Sequence, residues 1–121
     1  MLKGEKEEMR NEEIAEKIKM LEFHQKLLLK MVEGSSMKFD YLIINRSLTE
    51  VEVTEILQYC DNLSVEFKKQ KAEGFVYFHP LFDEFQLFLQ PKLEAKEVIL
   101  ACLEQGLFVP LMQELKKYMK L

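Results

Sequence analysis

The sequence predicts an all-α protein: a single compact multihelical domain of five or six helices, with a long coiled-coil-like helix at its N-terminus. Three observations carry this. Only four Gly and three Pro occur in 121 residues, too few for the turns of an all-β fold. Lys, Glu and Leu, all good helix formers, abound. Apolar residues also recur at three- and four-residue spacing through most of the chain. At 48% hydrophobic and 31% charged the composition is that of an ordinary globular protein. The length suits one domain with a real core better than two.

The spacing predicts a first helix over about residues 5–33. Ile14, Ile18, Leu21, Leu28 and Val32 follow a strict four-three alternation, and Gln25 fills the one missing slot. This is a coiled-coil seam, with Ile18, Gln25 and Val32 at a and Ile14, Leu21 and Leu28 at d. A second stripe runs through Met20, Phe23, Leu27 and Met31. One greasy face is free to pack within its own domain, and the other wants a partner. Upstream of Ile14 the pattern thins to charges, so residues 1–13 are expected to form a frayed leader to a helical domain over residues 14–121. "GSS" at 34–36 ends the helix, with Gly34 expected in a left-handed C-cap.

A short helix over about residues 38–46 turns Phe39, Leu42 and Ile43 inward. "LTEVEV" follows. Thr49 and Glu52 make a capping box, and Leu48 and Val53 can staple across it. The helix begun there buries Val53, Ile56, Leu57, Cys60, Leu63 and Phe67, and ends at lysines and Gly74. "FVYF" at 75–78 reads as an extended connector with buried aromatics, because four residues without a pairing partner make a poor sheet. Pro80 opens a helix that Pro91 stops. Two more follow, about 94–105 ending at Gly106, and 110–120 using Leu111, Met112, Leu115 and Met119.

Functional signals are sparse. His24 and Gln25 interrupt the oily stripes, but no motif supplies the nucleophile or carboxylate that a catalytic histidine needs. A glutamine at a, in contrast, has a physical role, because polar a residues set register and oligomer number at some cost in stability. The cluster "FVYFHPLFDEFQLF" holds six of the thirteen aromatics. It could line a pocket, yet Phe78, Phe82 and Phe85 recur at helical spacing, as a core stripe does. His79 and Asp83 stand i, i+4 on one helix face, and two ligands do not make a metal site. Phosphate loops, nucleophile elbows and dinucleotide fingerprints are absent from the sequence, so no catalytic residue, metal or cofactor is expected.

Cys60 and Cys102 fall within helical patterns and read as free buried thiols. A net charge of −4 disfavours nucleic acid, since phosphate contacts need a basic surface. Lys68, Lys69, Lys71, Lys116, Lys117 and Lys120 sit at helix C-terminal ends, where the dipole accounts for them. The stretch "MLKGEKEEMRNEE" has no apolar signal region, and no run is long enough to span a bilayer, so a cytoplasmic location is expected.

"LEFHQKLLLKMV", "YCDNLSVEFKKQKAEGFVYF" and "LEQGLFVPLMQEL" together resemble the YhaI-like proteins, a family of small uncharacterised bacterial proteins known mainly from bacilli. The likeness covers roughly residues 21–119. It implies a compact all-helical fold and a homo-oligomer, and it supplies no activity, cofactor or catalytic residue. The function expected is that of a self-associating interaction or regulatory module, dimer or trimer, acting on an unidentified protein partner. A helix-turn-helix DNA regulator is the first alternative, and a small-molecule or metal-dependent enzyme using His79 and Asp83 is the second.

Overall fold

The computed structural model describes the backbone of residues 2–120 and the side chains of residues 7–120. Among these it is all-helical, with no strand. Six helices follow in order: α1 Leu2–Glu33, α2 Lys38–Asn45, α3 Glu50–Ala72, α4 His79–Leu89, α5 Ala95–Gln105 and α6 Val109–Lys116. Contacts divide the chain into two units, Met1–Ser35 and Ser36–Leu121. No described helix is long and apolar enough to cross a membrane.

The N-terminal unit is α1. Its 32 residues make a helix about 48 Å long at ~1.5 Å per residue. Residues 2–13 of the charged leader form the first turns of this same helix. The expected left-handed cap at Gly34 is not there. Positive φ among the described glycines is confined to Gly74 and Gly106. Ser35 ends the helix instead: its backbone N–H and its hydroxyl both donate to the carbonyl of Val32, at 2.9 and 2.7 Å. A side-chain donor satisfies the terminal carbonyl that a left-handed glycine otherwise frees for backbone closure.

α3 is the longest helix of the C-terminal unit. Thr49 Oγ1 accepts from the Glu52 N–H at 3.2 Å while Glu52 Oε1 accepts from the Thr49 N–H at 3.0 Å, the reciprocal capping box. Ile56, Cys60, Leu63 and Phe67 then repeat every three or four residues and are buried. They meet Phe78, Phe82 and Phe85 of the aromatic run, and Val98, Ile99, Leu111, Met112 and Leu115 of the last two helices, in one core. α2 lies on α5: the Asp40 N–H donates to Gln105 Oε1 at 3.0 Å, and Arg46 pairs with Glu97. Lys92 reaches back to Glu52 at the start of α3.

Three turns share one hydrogen-bond pattern. At the end of α3 the Phe75 N–H bonds the Gln70 carbonyl and the Gly74 N–H bonds that of Lys71, with Gly74 at φ 95°. After α5, Leu107 bonds Cys102 and Gly106 bonds Leu103, with Gly106 at φ 77°. Both are Schellman closures that need a left-handed residue. After α2, Leu48 bonds Ile43 and Ser47 bonds Ile44, but the left-handed position, at φ 53°, is a serine. An L side chain there costs about 1 kcal/mol or more. We expect Ser47→Gly to stabilise the C-terminal unit by about 0.5–1 kcal/mol, read as a higher urea midpoint at unchanged slope. A lower midpoint would show that the serine stabilises this turn.

Two further expectations need correction. "FVYF" is an extended connector, but only Phe78 is buried; Phe75, Val76 and Tyr77 are exposed. The last helix stops at Lys116, not near residue 120. The turn at Lys117 and Tyr118 brings the Tyr118 hydroxyl to the Phe78 N–H, from which it accepts at 2.9 Å, while donating to Glu114 Oε2 at 3.1 Å. A donor at the head of α4, where no side-chain cap is present, is thereby satisfied.

Candidate functional site

The first candidate is the surface of α1. At about 100° per residue the six seam positions, Ile14, Ile18, Leu21, Gln25, Leu28 and Val32, fall within an arc of about 80°. Ile14, Ile18, Leu21 and Leu28 are 54%, 49%, 61% and 59% exposed; Gln25 is exposed and Val32 half-buried. The second stripe is centred about 140° around the helix, a separate face. Its members Met20, Phe23, Leu27 and Met31 are also exposed. With Met9, nine large apolar side chains of α1 stand open. His24 lies at the edge between the stripes. It is exposed, tilted against Phe23 at 6.1 Å, and makes no hydrogen bond or ion pair among the described residues.

The second candidate is a cleft of about 660 Å³ beside α4, whose walls include His79, Asp83, Gln86, Lys96 and Tyr118. His79 opens α4, and its Nδ1 lies 3.1 Å from Asp83 Oδ2 one turn on. Three rings surround the imidazole: Tyr77 stacked at 6.0 Å, Tyr118 edge-on at 5.4 Å and Phe82 at 6.0 Å. The carboxylate fixes the ring as an orienting partner does, but no serine, threonine or cysteine lies on the cleft walls to be activated. Among the described residues no group of three or more His, Cys, Asp or Glu could hold a metal ion. No local pattern points to Tyr118 here, because its tie to the head of α4 spans 40 residues.

The remaining reactive groups are closed off. Cys60 and Cys102 are free and buried, and desolvation pushes both thiols from an ordinary 9.0 to about 12. Too little thiolate exists near neutral pH for either to act as a nucleophile. Tyr59 stacks on Phe88 at 3.8 Å, and its hydroxyl is shut off from solvent without a well-formed hydrogen bond. Burial, and then the Glu84 carboxylate beside it, push the phenol above its usual range.

Of the sequence-predicted residues, Ile14, Ile18, Leu21, Gln25, Leu28 and Val32 share one largely exposed face of α1 and His79 is joined to Asp83, while His24 makes no hydrogen bond or ion pair among the described residues. A family model described as a protein of unknown function, DUF1878, matches residues 11–120.

Proposed function

We propose that this chain, which belongs to the DUF1878 family of proteins of unknown function, is a self-associating protein–protein interaction or regulatory module that assembles through α1. One observation carries the reading: nine large apolar side chains are exposed along a single helix. Two apolar stripes left open along one helix are unusual on a monomer and mark interaction surfaces. The heptad spacing of the seam supports another copy of the chain as the occupant. The separate second stripe offers room for a different protein. Two cysteines left free support a cytoplasmic location.

The cleft at His79 supports the enzyme reading, but its walls hold no serine, threonine or cysteine and the described residues there offer no cluster of three metal ligands. The helix-turn-helix reading fares worse, since the first turns of α3 carry Glu50, Glu52 and Glu55 where phosphates would lie. The deciding measurement is native mass by sedimentation or light scattering. Two or three times the 14.4 kDa of one chain is expected at micromolar concentration. A mass of one chain throughout would overturn the assembly reading.

A further inference from the structure

We propose that α1 recognises a second copy of itself laid parallel and in register, joined along the seam and selected by charge at its borders. The inference rests on the assembly reading and adds the geometry of the contact. With Ile18, Gln25 and Val32 at a, the g border carries Arg10, Lys17, His24 and Met31, and the e border carries Glu8, Ala15, Glu22 and Leu29. The formal charges on the g border are basic and those on the e border acidic, and Lys17 with Glu22 is the g-to-e pair in which both members are charged. In a parallel pair each g residue meets the e residue five places further along the other helix. Lys17 then faces the partner's Glu22, and symmetry repeats the contact. An antiparallel pair sets g against g and e against e, which brings Lys17 to basic neighbours and Glu22 to acidic ones.

Lys17 and Glu22 are available for this. Both are exposed, and neither has an ion pair within its own chain among the described residues. The ion pair described on α1, Lys19 with Glu16 at 3.7 Å, stands on the far side of the helix from the seam.

Gln25 gives an independent reason. Parallel, in-register packing stacks a on a, so its amide meets the partner's Gln25 and each can donate and accept. Antiparallel packing sets a against d, so the amide would be buried against leucine or isoleucine with its hydrogen bonds lost. Charge and hydrogen bonding select the same orientation. The g-to-e contact recurs in a parallel trimer, so the native mass fixes the number of copies.

Charge exchange tests this. Lys17→Glu places like charges opposite the partner's Glu22, and Glu22→Lys places them opposite the partner's Lys17. Each single variant is expected to weaken assembly roughly tenfold at low salt, and the double variant to return within about twofold of the native chain. Salt at about 0.5 M should compress these differences. Sedimentation equilibrium reads the association constants, and circular dichroism confirms that the helices persist. Single variants that assemble more tightly would establish the antiparallel arrangement, and single variants that change nothing would remove the charged borders from the contact; either overturns the proposal and leaves the assembly reading standing. A native chain that never associates would overturn the assembly reading itself.

Discussion

Phe85→Ala is expected to cost the C-terminal unit about 3–5 kcal/mol, the scale of a deleted core aromatic. Phe85 is fully buried in α4, within the core that α3, α5 and α6 share. Removing the ring forfeits its transfer free energy and leaves a void, because walls supplied by several helices cannot all move inward together. Globular proteins are typically stable by only about 5–15 kcal/mol, so the variant should lose roughly a fifth or more of its margin. Chemical denaturation should show the midpoint falling at unchanged slope. Leu87→Ala, two residues on and 73% exposed, is the control and should stay within about 0.5 kcal/mol of the native chain. Equal losses from the two would contradict the assignment of which face of α4 is inside.

Gln25→Leu should act in the opposite sense. An amide at a is tolerated because it settles register and copy number, and it stabilises less than a leucine would. With leucine there the seam becomes apolar from Ile14 to Val32, and assembly should tighten by about 1–2 kcal/mol per chain. The control over copy number goes with the amide, so the mass distribution should broaden or shift. Sedimentation velocity reads the distribution and thermal melting reads the stability. If neither moved, Gln25 would lie outside the contact, whatever the neighbouring leucines do.

Most of the fold was legible because its signals are local. The Thr49–Glu52 box needs only its own four residues, and the α3 stripe from Ile56 to Phe67 needs only its own period. Gly74 and Gly106 were readable for the same reason: each follows a run of helix formers and supplies the conformation a closing turn demands. Ser47 escaped because serine does not advertise a left-handed backbone. The short link between α2 and α3 imposes it. The early end of α6 escaped because Tyr118 is held by Phe78 and Glu114, and a contact across 40 residues leaves no periodic trace.

The candidate sites divide along the same line. The six positions from Ile14 to Val32 recur at heptad spacing, so their sharing of one helix face was readable once α1 was known to be a helix. The cleft beside His79 comes from where α4, the head of α5 and the segment after α6 meet. The pairing of His79 with Asp83 was readable from their spacing, whereas the space beside them was not.

The burial of Cys60 and Cys102 has a practical consequence. Each thiol is held protonated and out of reach, so an alkylating reagent can take it only when the surrounding helices part. The C-terminal unit thus carries its own clock. The pace of labelling at neutral pH counts openings of the core, without any dye or engineered probe.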